Sequence, residues 1–448
     1  MGRHALAGHT TRLTSVLTHV WEACMDDGDV KDVVAAVRRL VRERVVPLEQ
    51  QIDETDEMPA ELIEAAAEMG LYGFAIPEEY GGLGLSMTQE ARLVMELGYT
   101  TPAFRSLFGT NNGIAGHVLL EGGTPAQRKE YLPRLASGEW TASFALTEAE
   151  AGSDPAGLRT CARRVDGGYV LSGSKRYITN APVADLFMVF ARHSEQATAT
   201  RDISVFLVPK DAPGLSVGPK DKKMGQHGAW TAEVFLDDVP VPDEALVGGP
   251  AGHSTGYLTA MRCLAHGRLH IAALCTGMAQ RLLEETVSYA LARTQSGHPI
   301  AEFQLVQGLI ADSQTDVYAA RALVVSAAAD FDAGTDTRMG PSCAKYFASE
   351  AVGRVADRAV QVHGGAGYMR GVAVERLYRD ARLFRIYEGT SQVQQVMIAK
   401  QALRQATSLG LKERDGRALL VSGGTGRRGH GRRAAAHPGQ AQAAQCPR

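Results

Sequence analysis

The residue in this chain best placed to do chemistry is one acid near the C-terminal end. Glu388 lies in segment 387–392, which reads Tyr-Glu-Gly-Thr-Ser-Gln and follows the charged run 375–380. A carboxylate flanked by Gly and Thr suits a loop between two helices, where it can act as a general base. Burial against Ile386 and Tyr387 would raise its pKa from about 4.3 toward neutrality. We therefore predict that Glu388 is catalytic.

Two further segments carry hydrogen-bond donors that a bound ligand could use. Segment 145–154 reads Ala-Leu-Thr-Glu-Ala-Glu-Ala-Gly-Ser-Asp, and segment 177–180 reads Tyr-Ile-Thr-Asn. Hydroxyls and loop amides supply the donors, and Gly152 removes steric bulk. Each feature alone is ordinary, because Thr is common in strands and Tyr177 could be a core residue. Together with segment 387–392, however, they resemble the acyl-CoA dehydrogenase family.

The resemblance covers roughly residues 31–405 and implies a reaction. In that family FAD is the cofactor, and the acid at Glu388 takes the α-proton of a saturated acyl-CoA while hydride leaves the β-carbon for flavin N5. The product is the trans-2-enoyl-CoA, and the electrons pass to an acceptor such as an electron-transfer flavoprotein. Two alternatives remain open. One is an acyl-CoA oxidase or flavin monooxygenase on the same scaffold, and the other is a noncatalytic acyl-CoA-binding relative.

The resemblance also implies two sets of cofactor contacts. Those expected to surround the flavin are Phe144, Leu146, Thr147, Ser153, Tyr177, Ile178 and Thr179. Those expected at the adenosine end are Arg293, Gln295, Phe303, Gln304, Gln361, Gly364, Gly365, Thr390 and Gln392. In the family the adenosine end is held by the neighbouring subunit, which implies a homodimer or homotetramer.

Substrate contacts are implied as well, and three departures from the family pattern affect them. The expected substrate contacts are Ser153, Arg268, Gly389 and Lys400, although Arg268 and Lys400 could instead be solvated helix charges. Departures occur at Ser296 in place of Phe, at Ala265 in place of Asp, and in segment 222–230. They leave the reaction intact but obscure the choice of acyl group.

A metal centre is the main alternative use of the histidines. His266 and His270 are four residues apart, as helical metal ligands are. The glutamate of an H-E-x-x-H motif is absent, however, and Arg268 lies between the two histidines. We therefore predict no metal.

The elements that must position these residues follow from hydrophobic spacing. Apolar residues recur every three to four positions in 31–140 and again in 250–405, which predicts helical domains, whereas 141–245 has short β-rich runs between glycines and prolines. The predicted fold is α+β and multidomain. It has an N-terminal helical domain, a small central β-barrel or sandwich, and a C-terminal domain that the resemblance makes four-helix-bundle-like.

Composition limits the remaining possibilities. With 45% hydrophobic and 22% charged residues and a net charge of -3, the chain has no basic excess to attract nucleic acid. No apolar run reaches the roughly 20 residues of a membrane span. Six scattered cysteines without a C-x-x-C pair favour a reducing, cytoplasmic location. We expect residues 1–30 to be a disordered leader and 412–448 a low-complexity tail, in which a Gly-rich stretch at 420–426 is too short for a dinucleotide-binding unit.

Overall fold

The computed structural model describes residues 28–193 and 200–408, so most of the expected leader and the whole of the expected tail lie outside the described residues. The described chain up to Gln401 forms one compact unit, and a second unit begins at Ala402. Helices come first, a β-sheet follows, and helices return. This order confirms the predicted α+β architecture. Among the described helices, none is long and apolar enough to cross a membrane.

The first helices build the N-terminal domain around an amphipathic pattern. Val34, Val37 and Val41 are buried at helical spacing, and a π-helical turn, Val41–Val45, continues the first helix. Pro47, which lacks an amide hydrogen, then tightens the chain into the 3₁₀ turn Val46–Leu48. The helices are α1 Gly28–Leu40, α2 Glu49–Thr55, α3 Ala60–Glu68, α4 Met87–Leu97, α5 Pro102–Gly113, α6 Ala115–Gly122 and α7 Pro125–Ser137.

Within the described residues, a seven-stranded mixed sheet forms the middle of the chain. Its strands are β1 Ala142–Ala145, β2 Cys161–Val165, β3 Gly168–Thr179, β4 Leu186–Arg192, β5 Ile203–Pro209, β6 Leu215–Val217 and β7 Thr231–Pro242. The order across the sheet is β1-β4-β2-β3-β7-β6, and β5 pairs with β4. Every residue of β4 is buried, as expected of a strand covered on both faces.

A shift in register near the end of β3 matters for the candidate site. Between Lys175 and Ile178 the pairing of β3 with β7 slips, so that Arg176 and Tyr177 bulge from the ladder. Tyr177 has φ 57° and is 59% exposed. A bulge of this kind redirects a side chain out of the regular alternation. Tyr177 is therefore not a core residue.

The C-terminal helices pack around one long central helix. α8 Gly256–Ala292 is buried along most of its length and packs against α4, α9 and α10. A two-residue turn, Ser296-Gly297, joins the short strands β8 Thr294–Gln295 and β9 His298–Pro299. The remaining helices are α9 Gln304–Asp332, α10 Met339–His363, α11 Ala373–Ala381 and α12 Ser391–Ser408.

Candidate active site

Glu388 lies in the predicted place, in the loop between α11 and α12. Its backbone is left-handed, with φ 51°, and Gly389 follows with φ 91°. The residue as a whole is half-buried, but its Oε2 is buried and has no hydrogen-bond partner among the described residues. Desolvation by burial raises the pKa of Glu388, and the charges of Arg105, Lys345 and Arg268 oppose that rise. An unpaired buried carboxylate with a raised pKa suits proton abstraction.

Of the two residues expected to bury this carboxylate, Ile386 is more exposed than predicted. Ile386 is 49% exposed and lines a neighbouring pocket, so it does not bury Glu388. Tyr387 packs against Phe384 of the helical core. The backbone of α8 also lies beside this carboxylate, because a Cβ on Gly267 would be 2.3 Å from Oε2 of Glu388.

Three buried cations face the carboxylate, and only one of them was singled out from the sequence. Lys345 of α10 is fully buried, and its Nζ donates to the carbonyl of Gly389 at 2.7 Å. Burial lowers the pKa of Lys345 to about 8. Arg105 of α5 donates from Nη2 to Nδ1 of His270 at 3.0 Å. Arg268 is 3% exposed, so it is not the solvated helix charge considered as an alternative. The sequence alone did not indicate that Lys345 and Arg105 are near Glu388, because they come from separate helices.

Behind Arg105 lies a buried polar network. His266 and His270 lie on one face of α8, as their spacing predicts, and both meet Glu90 of α4. The Nε2 to carboxylate-oxygen distances are 3.2 Å for His266 and 2.5 Å for His270. Glu90 supplies a third potential metal ligand that the sequence did not reveal. Because Arg105 can only donate, His270 must accept at Nδ1, which favours a hydrogen-bonded network over a metal-bound histidine.

The residues predicted to contact the flavin fall into two groups. Thr147, Ser153 and Thr179 have hydroxyls that make no side-chain hydrogen bond within the described chain, and Tyr177 projects from its bulge. A Cβ on Gly152 would meet nothing within 4 Å, so the loop is open to a ligand. The other predicted contacts are buried in hydrophobic clusters or packed against them, which leaves mainly their backbone for a ligand: Phe144, Leu146 and Ile178.

Contacts between elements relate the flavin segments to Glu388. Asn180, directly after β3, donates from Nδ2 to the Ser106 carbonyl at 2.8 Å and to the Thr110 hydroxyl at 3.0 Å. Both acceptors belong to α5, the helix that also carries Arg105. The end of β3 and the Glu388 loop are thus both in reach of one helix.

The residues predicted at the adenosine end lie on the surface. Exposed positions are Arg293, Gln295, Phe303, Gln304, Gln361, Gly364, Gly365 and Gln392, with Thr390 half-buried. Tyr289 of α8 stacks on His363 of α10 with ring centroids 4.1 Å apart. This contact brings all of these residues except Thr390 and Gln392 to one end of the domain. Thr390 and Gln392 instead line a pocket of about 300 Å³ together with Arg382 and Arg385.

The structure shows where the three departures from the family pattern lie. Ser296 occupies the first turn position between β8 and β9, with φ 52°, and Gly297 follows with φ 85°. Ala265 is buried in α8. Segment 222–230 joins domains, because Gln226 donates from its backbone and its side chain to Asp380 of α11. Of the predicted substrate contacts, Ser153 and Lys400 are exposed and Gly389 is half-buried.

Comparison with known proteins identifies relatives along most of the chain. Models of the N-terminal, middle and C-terminal domains of acyl-CoA dehydrogenases match residues 28–139, 143–239 and 254–403. An acyl-CoA dehydrogenase of Bacillus subtilis (strain 168) is 38% identical, with 82% of this chain and 96% of the relative covered.

Two further relatives extend this result. The caffeyl-CoA reductase-Etf complex subunit CarC of Acetobacterium woodii is 37% identical, with 82% of this chain and 98% of the relative covered. The structure of butyryl-CoA dehydrogenase from Megasphaera elsdenii is similar with a TM-score of 0.81 and 32% identity, covering 85% of this chain and 100% of that one.

Proposed function

Because this chain belongs to the acyl-CoA dehydrogenase family of FAD-dependent oxidoreductases, we propose that it dehydrogenates an acyl-CoA thioester between its α- and β-carbons. Glu388 takes the α-proton. The observation that carries this role is the buried, unpartnered Oε2 of Glu388, whose pKa burial raises. FAD, when bound, supplies the acceptor for the β-hydride.

Residues of the chain support this chemistry in separate ways. Free hydroxyls at Thr147, Ser153 and Thr179 and the ring of Tyr177 form the surface offered to the flavin. Arg105, Lys345 and Arg268 place positive charge beside the base. Such charge opposes the rise in pKa and so favours the ionised form of Glu388 that a base requires. It also favours the negative charge that develops on the substrate.

Partner, assembly and location belong to the same proposal. A relative named as a subunit of an Etf complex supports an electron-transfer flavoprotein as the acceptor. The exposed residues predicted at the adenosine end, Arg293 and Gln361 among them, fit a homodimer or homotetramer whose subunits share the cofactor. The four cysteines in the described chain are free, which fits the cytoplasmic location that we propose.

The decisive experiment compares wild type with Glu388→Gln. Under anaerobic conditions, a panel of acyl-CoA thioesters should bleach the wild-type flavin. The variant should keep FAD and bind acyl-CoA, while bleaching slows by about 10²- to 10⁴-fold, because a general base contributes about that factor. Undiminished oxidation by Glu388→Gln would overturn the proposal.

The wild-type protein also distinguishes a dehydrogenase from an oxidase and from a noncatalytic relative. A dehydrogenase, once reduced by substrate, should reoxidise slowly in air and quickly with an electron-transfer flavoprotein. Rapid peroxide production would instead identify an oxidase. A colourless wild-type protein that cannot be reconstituted with FAD would identify a noncatalytic relative.

A further inference from the structure

The two segments predicted to contact the flavin meet at one buried ion pair. Lys175 of β3 has a fully buried side chain, and its Nζ lies 2.7 Å from Oε1 of Glu148. The same ammonium donates to the carbonyl of Phe190 at 2.7 Å and to that of Leu146 at 3.3 Å. Its hydrogen bonds therefore connect three segments: loop 145–154, β3 and β4.

The Glu148 carboxylate is equally well connected. Oε2 accepts from the amide of Arg159 at 2.6 Å, and Oε1 accepts from the amide and the hydroxyl of Thr160 at 3.0 and 2.5 Å. Burial opposes ionisation of Glu148, but the charge of Lys175 and these hydrogen bonds outweigh it and lower the pKa of Glu148. The group is therefore held as a carboxylate.

Thr147 is fixed on both sides by this pair. Lys175 binds the carbonyl of the preceding residue, Leu146, and Glu148 is the following residue. The amide of Arg176 also donates to the carbonyl of Thr147 at 2.9 Å. The Thr147 backbone is thus restrained while its hydroxyl stays available to a ligand.

Tyr177 depends on the same pair from the other side. It lies two residues after Lys175, at the point where β3 slips against β7. The Lys175 side chain is hydrogen-bonded within the buried sheet. These bonds therefore hold the point of β3 at which the bulge begins. The ion pair therefore links the hydroxyl of Thr147 to the ring of Tyr177.

We propose that Lys175 and Glu148 are positioning residues for the cofactor, which set the spacing of Thr147 and Tyr177 and thereby the affinity for FAD. This inference rests on the proposed function. A buried ion pair adds little stability over an apolar pair of similar volume, so its location between two ligand-facing segments is better explained by positioning.

The test measures the FAD dissociation constant and the thermal stability of apoprotein. The variants are Lys175→Met, Glu148→Gln and the double variant Lys175→Met/Glu148→Gln. Lys210→Met is the matched control, because Lys210 pairs with Asp185 in the same domain but is exposed. Either single variant leaves a buried charge unpaired and should lose both stability and FAD affinity.

The double variant separates positioning from stability. Removing both charges should restore most of the stability, but Met has no donor for the carbonyls of Leu146 and Phe190. We therefore expect FAD to bind about tenfold more weakly or worse, which corresponds to a loss of about 1.4 kcal/mol, whereas Lys210→Met should bind FAD like wild type.

Two contrary results have different meanings. If the double variant binds FAD as tightly as wild type, the pair is only structural and the positioning role is wrong. If wild type itself takes up no FAD, the proposed function fails and this inference fails with it.

Discussion

Gly267 and Glu388 approach each other so closely that a side chain at position 267 of α8 would require the Glu388 carboxylate to move. A Cβ on Gly267 would lie 2.3 Å from Oε2 of Glu388 and 2.9 Å from Cγ2 of Ile114. Glycine inside a helix costs about 0.5–1 kcal/mol relative to alanine. Here the glycine lies where the backbone of α8 passes beside the carboxylate of the candidate base.

We predict that Gly267→Ala displaces the Glu388 carboxylate and lowers kcat by about 10²-fold, because small misplacements of a catalytic group have effects of that order. Steady-state kinetics and acyl-CoA binding should be measured together. Gly308→Ala is the matched control, since a Cβ on this helical glycine would meet nothing within 4 Å. The control should keep kcat and gain about 0.5–1 kcal/mol in stability. An unchanged kcat in Gly267→Ala would mean that the base lies elsewhere.

The pH dependence of activity should follow the ionisation of Glu388. Burial raises its pKa and the base works as a carboxylate, so kcat/KM should fall as the pH drops through this raised pKa. The charges that face Glu388 are Arg105, Lys345 and Arg268. Lys345 has a pKa of about 8, so it is charged below that pH and opposes the rise.

Replacing Lys345 by Met should therefore move the acidic limb of kcat/KM to higher pH. Without this positive charge, burial raises the pKa of Glu388 further, so Glu388 ionises only at a higher pH. The rate plateau should also fall, because the hydrogen bond to Gly389 disappears. Lys129→Met, at an exposed position of α7, should leave the limb in place. A limb that does not move in Lys345→Met would show that Lys345 does not act on Glu388.

A feature could be predicted from the sequence when the residues that form it are close together along the chain. Helices, strands and the loop of Glu388 follow from local spacing and motifs, so they were predicted. Arg105, Gly267 and Lys345 reach the base from three separate helices, and no local pattern relates them. Lys175 left a signal that could have been used, because it continues the inward alternation of Tyr169 and Leu171 along β3.

The Ser296 turn offers a stability prediction at a departure from the family pattern. Two-residue hairpin turns with positive φ at both positions favour Asn or Gly first and Gly second. Ser296→Asn should therefore raise the free energy of unfolding by about 0.5 kcal/mol, whereas Ser296→Val should lower it by about 1 kcal/mol, since a β-branched residue is strained at φ 52°. Thermal unfolding of both variants checks the sign. A stabilising Val would mean that the turn adopts another conformation.

Proton placement in the Glu90 network can be worked out from its donors. Arg105 can only donate, so Nε2 of His270 carries a proton and donates to Oε2 of Glu90. The Gly113 carbonyl can only accept, so the proton of His266 is on Nδ1, and its Nε2 faces Oε1 of Glu90 without one. A proton must then lie between Glu90 and His266. Burial raises the pKa of Glu90 and lowers that of His266 to about 4, and both shifts favour the proton on Glu90 over His266.

A protonated Glu90 predicts that Glu90→Gln is tolerated. The amide can accept from His270 and donate to His266, so the free energy of unfolding should change by less than about 1 kcal/mol. Glu90→Ala should lose about 2–4 kcal/mol, because it leaves two buried imidazoles without partners and a cavity. Urea unfolding at neutral pH compares the two variants. Equal losses of unfolding free energy in both variants would show that Glu90 is ionised. Stoichiometric zinc in the purified wild type would show that these three side chains form a metal site instead of a hydrogen-bonded network.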